Sequence, residues 1–431
     1  MSRPDMSAAP PDLAIILPAL NEASHLRVLL PALADLANEL EIQMEVIVVD
    51  GGSADDTIGV AEASGARVVR QKRQNYGAAL VEGLAAVERP AFVVMMDADL
   101  SRQPHVLRDL WAAHEDADLV VASRYMAGGA SETPGLRRVL SRILNTVYSR
   151  ALSVPVHDLS SGYRLYRRSA LQSVAVTHMD FGALPEILIR IYAEGYRIKE
   201  VPLQFASHVG GCSRAELVSL AWSYTKVLWR MWQLRNSVFS ADYDHRAFDS
   251  RIALQRYWQR ERHRIILKFT GAGGKILDVG CGSSRILQDL PGSVGVDVLL
   301  RKLRFLRPVH PEVAQASVAA LPFPDASFDT VICSEVIEHI PDDPCVLGEL
   351  TRVLKPNGTL VLGTPDYGRV LWHIIEWVYG RVAPGGYADE HITHFDRRGL
   401  QSRLVALGYQ VLDCDYVGAC EMIFKARKNS A

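Results

Sequence analysis

The chain starts the same alternation of strand and helix twice. Short apolar runs at residues 14–17, 45–49, 66–69, 92–96 and 119–122 are separated by stretches of helical spacing such as residues 23–40. Apolar strands joined by amphipathic helices satisfy their backbone and bury their side chains best as a mostly parallel sheet covered by helices. The pattern begins again at Lys275, with runs at residues 276–279, 293–296, 330–333 and 359–362 and a glycine-containing turn after the first. Between the two series, residues 240–269 are polar, aromatic and helical in spacing, without a strand signal. The expected fold class is therefore α/β in two domains. A flexible tail covers residues 1–12, a first domain 13–239, a helical linker or N-terminal extension 240–270, and a second domain 271–431.

Length agrees, because 431 residues exceed the roughly 250 to 300 at which one hydrophobic core stops growing. The 47 basic and 49 acidic residues nearly cancel, so the global basic field that nonspecific nucleic-acid binding needs is missing. Six cysteines without a CxxC pair read as reduced thiols of a cytoplasmic protein. The first residues hold three prolines and no long apolar run, which fits a frayed tail and not a signal peptide. A membrane-spanning helix needs about 20 predominantly apolar residues. Residues 217–234 are interrupted by Lys226 and Arg230, and residues 371–379 are too few; any membrane contact is expected to be peripheral, at the cytoplasmic face.

In the first series, the run Val93-Val94-Met95-Met96-Asp97-Ala98-Asp99 ends a buried strand in two acids at i and i+2. Residues two apart on an extended chain point the same way, so Asp97 and Asp99 can converge on a hard cation, Mg²⁺ or Mn²⁺, that grips a diphosphate. Such a cation stabilises charge building on a departing nucleoside diphosphate. Two solvated acids opening a loop would look the same in isolation. Earlier strands end in Pro18-Ala19-Leu20-Asn21-Glu22 and Asp50-Gly51-Gly52-Ser53, and ligands of parallel sheets gather at the carboxyl ends of strands. Further along come Ser123-Arg124-Tyr125, Asp158-Leu159-Ser160-Ser161-Gly162-Tyr163-Arg164 and residues 205–214.

Taken in order, these motifs resemble the inverting glycosyltransferases of the dolichol-phosphate mannose synthase type, over about residues 13–236. The resemblance implies the GT-A fold, a nucleotide-sugar donor held by Pro18, Asn21, Glu22, Asp50, Ser53 and Gly77, and a metal held by Asp97 and Asp99. It places Asp99, Arg124 and His208 among the catalytic groups, and Arg124, Arg138 (or Arg137), Arg164, Ser213 and Arg214 on the acceptor. Where that family often carries Gln, this chain has Ser101, and His208 stands where it carries an arginine; the second change makes a phosphate grip pH-sensitive. Several arginines and no clear second acid motif favour a polyprenyl-phosphate acceptor over a glycan. A phosphate is already anionic and needs clamps, whereas a sugar hydroxyl needs a base, for which Asp180 and Glu186 are the candidates. The helical spacing of residues 217–234, with Trp222, Trp229 and Trp232 beside the apolar stripe, fits either a helix in a bilayer interface or one packed between domains.

In the second series, Lys275-Ile276-Leu277-Asp278-Val279-Gly280-Cys281-Gly282-Ser283-Ser284 reads as strand, tight turn and a helix over residues 285–290. Glycines there let a ligand approach the backbone, and a helix start favours an anion. The next strand ends in Asp297, too soon for the dinucleotide fingerprint, whose third glycine is Ser284 here. With residues 321–329, 334–340 and 349–358, the set resembles the class I S-adenosylmethionine methyltransferases of the small-molecule type, a Rossmann-like fold, over about residues 277–411. The resemblance puts Asp278, Gly280 and Gly282 near the methionine portion, Asp297 on the ribose and Ser317 and Val318 near adenine. His339, Glu390, His391 and His394 are candidate bases for an O-methylation, His339 and His391 foremost. The cluster at residues 389–394 is alternatively a metal site.

Two fused transferases suggest successive steps on one glycan or glycolipid, as in polysaccharide biosynthesis, one site's product being concentrated near the other. The rival reading keeps one half active and makes the other a glycan- or lipid-binding module.

Overall fold

The computed structural model describes residues 11–132, 135–205, 214–271, 273–382 and 391–430. It divides into two compact units, residues 1–192 with 196–232, and residues 193–195 with 233–431.

In the first unit, nine strands follow in order: β1 Leu13–Ala19, β2 Met44–Asp50, β3 Arg67–Arg70, β4 Phe92–Met95, β5 Leu119–Ser123, β6 Ala130–Ser131, β7 Arg164–Arg167, β8 Ile198–Pro202 and β9 Gln204–Phe205. Seven form one sheet in the order β3-β2-β1-β4-β7-β5-β8. It is parallel except for β7, which runs antiparallel to both β4 and β5. Central β1 is apolar on both faces because both are covered, and Leu13, Ala14, Ile15, Ile16 and Leu17 are fully buried. The parallel run of β2, β1 and β4 carries the loops after Ala19, Asp50 and Met95 to one edge of the sheet. There the strand-end acids collect.

The second unit holds β10 Ile276–Val279, β11 Val294–Asp297, β12 Val313–Gln315, β13 Phe328–Ser334, β14 Leu354–Pro365, β15 Tyr409–Val417 and β16 Glu421–Lys428. They form a single sheet in the order β12-β11-β10-β13-β14-β16-β15, its last three strands being antiparallel neighbours. Helices Tyr243–Ala247 and Ala253–Thr270 precede it. The second is tied to the last strand: Arg262 pairs with Glu421, and the Trp258 ring nitrogen donates to the same carboxylate.

One expected element is corrected. Residues 285–290 make only a single 3-10 turn, Leu287–Asp289, because Pro291-Gly292 ends the segment before an α-helix can propagate. No α-helix therefore follows the Gly280–Gly282 turn directly; the helix start that meets it is that of Tyr243–Ala247, where the Asp244 amide donates to Ser283 Oγ at 3.2 Å.

Helix Arg214–Arg235 belongs to the first unit as far as Trp232. Tyr224, Val227 and Met231 are buried on it, and the Tyr148 hydroxyl donates to the Tyr224 carbonyl. Trp222 and Trp229 stay more than half exposed at 62% and 58%. Among the described residues no helix is long and apolar enough to cross a membrane.

Candidate active sites

At the carboxyl edge of the front sheet a cavity of about 540 Å³ is lined by Pro18, Glu22, Gly51, Gly52, Tyr76, Asp97, Asp99 and Phe181, among others. The two acids thus share one space, as their i, i+2 spacing predicts. Each is oriented by neighbours. The Asp97 carboxylate accepts from the Tyr76 hydroxyl at 2.9 Å and pairs with Arg102. Asp99 Oδ1 accepts from the Ser101 amide at 3.0 Å and the Ser101 hydroxyl at 2.6 Å. Ser101 therefore aims Asp99. Arg102 is buried, which pushes its guanidinium down to about 10. Neither Arg102 nor Tyr76 stands out in the sequence; the folding of residues 97–102 back on the helix Tyr76–Ala86 brings them in.

The loops after β1 and β2 are sewn to one another. Asn21 adopts φ 59°, a left-handed conformation that asparagine tolerates. Its amide donates to Ser53 Oγ at 2.9 Å and its Oδ1 accepts from the Ala54 amide at 2.7 Å. Buried Asp50 accepts from the Gly52 amide at 3.0 Å and the Ser53 amide at 3.2 Å. Of the predicted donor residues, Pro18, Glu22, Asp97 and Asp99 line the cavity, while Asn21, Asp50 and Ser53 build the loops that shape it. Gly77 is needed for packing: a Cβ there would sit 2.4 Å from the Met179 carbonyl carbon.

The acceptor arginines need correcting. Arg164 is fully buried, its guanidinium bonded to the carbonyls of Leu159 and Leu184, because its strand runs through the middle of the sheet. It braces the fold and reaches no acceptor. Arg124 is largely committed too, with Nε and Nη2 each 2.8 Å from the Asp158 carboxylate and Nη2 2.7 Å from Ser160 Oγ. Burial opposes both charges of that pair, but the hydrogen bonds outweigh it, raising Arg124 and lowering Asp158. Arg138 is exposed, with Nη1 3.3 Å from the Ser131 carbonyl oxygen. His208 and Ser213 lie outside the described residues, as do the side chains of Arg137 and Arg214. Glu186 is engaged by its neighbours: burial would raise it, but bonds from Thr177 and His178 hold it down at about 2.

In the rear unit, Gly280 and Gly282 both have positive φ, 72° and 55°, which lets the turn after β10 fold over the strand ends. Asp297 closes it, with Oδ2 accepting from the Gly282 amide at 2.8 Å and Oδ1 from the Leu299 amide at 2.7 Å. Behind it Asp278 is buried, and burial with the nearby Asp297 pushes it up to about 7. An unforeseen acid, Asp244, accepts from the Ser283 amide at 3.1 Å and from Lys302 at 2.8 Å. Val318 is buried past the end of β12, and Ser317 makes a bridge to Ala320.

His339 and His391, far apart in sequence, meet with ring centroids 4.9 Å apart. His391 Nδ1 is 2.8 Å from the Tyr367 hydroxyl, which itself donates to Glu376 at 2.7 Å. Burial first, then His339, holds His391 down at about 4, so it is neutral at physiological pH. His394 stacks on Tyr367 with centroids 3.9 Å apart, whereas Glu390 lies outside the described residues.

Residues 14–175 match the family model described as glycosyl transferase family 2, and residues 277–362 match a methyltransferase domain. The chain is 32% identical over 214 residues to a polyprenol monophosphomannose synthase of Mycolicibacterium smegmatis, covering 46% of this chain and 79% of that one. It is 33% identical over 199 residues to a dolichyl-phosphate hexose transferase of Haloferax volcanii, covering 46% and 85%. Among solved structures, glucosyl-3-phosphoglycerate synthase from Mycobacterium tuberculosis is similar at 25% identity and a TM-score of 0.43, over 51% of this chain and 79% of that one.

Proposed function

We propose that this chain, which belongs to glycosyl transferase family 2 and carries a methyltransferase domain behind that half, transfers a sugar from a nucleotide sugar to a polyprenyl phosphate and methylates a hydroxyl of a glycan or related small molecule. The observation that carries the first reaction is the pair Asp97 and Asp99 sharing the cavity with Pro18 and Glu22. Two carboxylates on one wall form an all-oxygen donor set suited to Mg²⁺ or Mn²⁺. When bound there, such a cation supplies charge stabilisation to a leaving diphosphate. Tyr76, Arg102 and Ser101 hold the carboxylates in place for it. A polyprenyl-phosphate acceptor is supported by the names of the two relatives, a polyprenol monophosphomannose synthase and a dolichyl-phosphate hexose transferase, and by Glu186 being engaged elsewhere. The acceptor needs no base, only cations, of which Arg138 is exposed. Trp222 and Trp229, with Lys226 over the Trp222 ring, would let this unit rest on a bilayer surface where such a lipid resides.

For the second reaction, the Gly280–Gly282 turn and Asp297 fit S-adenosylmethionine: the positive-φ turn follows the first strand as such a cofactor's methionine portion needs, and the carboxylate sits at a strand end where ribose hydroxyls would donate to it. Neutral His391, with His339 beside it, is the candidate base for a hydroxyl acceptor.

The test uses the full chain with labelled nucleotide sugar, polyprenyl phosphate and labelled methyl donor. Asp97→Asn/Asp99→Asn is expected to cut glycosyl transfer by roughly a thousandfold while methyl transfer continues. Glycosyl transfer undiminished by that double substitution would overturn the reading.

A further inference from the structure

We propose that Glu338, His339 and His391 form a site for a borderline divalent cation, of the zinc or cobalt kind, at the mouth of the rear sheet. Glu338 and His339 lie in the turn Ile337–His339 just after β13, and His391 is brought to them from beyond β14. One ligand atom from each lies within 4.8 Å of the others. Two imidazoles and one carboxylate are the donor set such ions take when a coordination position is left open for a non-protein oxygen.

Two further observations separate this cluster from ordinary structural histidines. Glu338 is completely buried, and while Oε2 accepts from the Thr364 hydroxyl at 3.0 Å, Oε1 has no hydrogen-bond partner. A buried carboxylate oxygen left in that condition is costly unless something outside the chain satisfies it. The second is the support behind His391. The single proton of the Tyr367 hydroxyl goes to Glu376, so the oxygen accepts from His391 Nδ1–H, which leaves Nε2 as the basic nitrogen. A carboxylate-anchored relay behind an imidazole is the arrangement that orients metal-ligating histidines.

The cation site stands on this geometry alone. Its use, which rests on the methyl-transfer reading, would be to hold an oxygen of the methyl acceptor, so acceptors with adjacent hydroxyls are the class it fits.

The experiment strips the full chain of metal and titrates it with Co²⁺, following the visible absorption that imidazole ligation gives. The Asp97→Asn/Asp99→Asn background removes any contribution from the front carboxylates. A single saturable band is expected, weakened at least tenfold by Glu338→Gln and by His391→Ala, and roughly tenfold by Tyr367→Phe, which spares all three ligands. The near-isosteric Glu338→Gln variant, with an unchanged melting transition, decides the matter if His391→Ala folds poorly. Absence of a band, or a band undiminished by Glu338→Gln, overturns the proposal. Binding of Co²⁺ without any methyl transfer would instead remove the assigned reaction and leave the site standing.

Discussion

The two halves place acids at the same edge of similar sheets and treat them in opposite ways. In the front unit each acid has a cation or a hydroxyl brought to it: Asp97 has Arg102 and Tyr76, and Asp158 has Arg124 and Ser160. In the rear unit Asp278 is buried beside Asp297 and pushed up to about 7. Asp158, given its cation, is therefore held in the charged form, whereas buried Asp278, given none, holds on to its proton. Sheet architecture sets where acids gather; the side chains packed under them set whether they are charged.

The sharpest way to break the comparison is Arg124→Ala. It leaves Asp158 buried without its cation and is expected to destabilise the front unit by ~3 to 5 kcal/mol, read as a lower denaturation midpoint for that unit with the rear transition unmoved. An equal loss in both units would mean that the pair does not belong to the front fold alone.

The second prediction concerns pH. Asp278 keeps its proton in the fold up to about 7 but releases it near 3.8 when unfolded. Its contribution is therefore complete below about 4 and is lost as pH rises through about 7, a change on the order of 4 kcal/mol. Glu186 in the front unit behaves oppositely: with a folded value of about 2 against 4.5 unfolded, its contribution is present above 4.5 and lost as pH falls through about 2. Calorimetry across pH should show the rear transition falling between pH 4 and 7 and Asp278→Asn flattening that slope; an unchanged slope would refute the storage of a proton there.

The smallest effect is expected from Gly77→Ala, whose Cβ would press on the Met179 backbone. It should cost the front unit ~1 to 3 kcal/mol and weaken nucleotide-sugar binding only through that displacement, checked by comparing melting with calorimetric binding.

What could be read from the residues, and what could not, follows the range of the forces. The strands were legible because burial on both faces demands uninterrupted apolar runs, as at residues 14–17 and 276–279. The acid pair Asp97 and Asp99 was legible because two residues on a strand share a face. Arg164 was misjudged as a clamp because a motif gives neighbours along the chain but not depth, and only the sheet order reveals that β7 is interior. The helix expected at residues 285–290 failed because the turn before it and Pro291-Gly292 behind it leave too few residues to nucleate one. Arg102 on Asp97 and His391 beside His339 were out of reach, since both depend on where loops return.

The short helix Tyr243–Ala247 bears on how the rear half travels as a module. Asp244 holds the turn after β10 through Ser283 and neutralises Lys302, itself only 4% exposed. A fragment cut at residue 271 would keep every strand of that sheet yet leave a buried ammonium without its counter-charge and the glycine turn without its peg. Any excised or transplanted version has to take these earlier residues along, so the smallest inheritable piece is larger than the sheet.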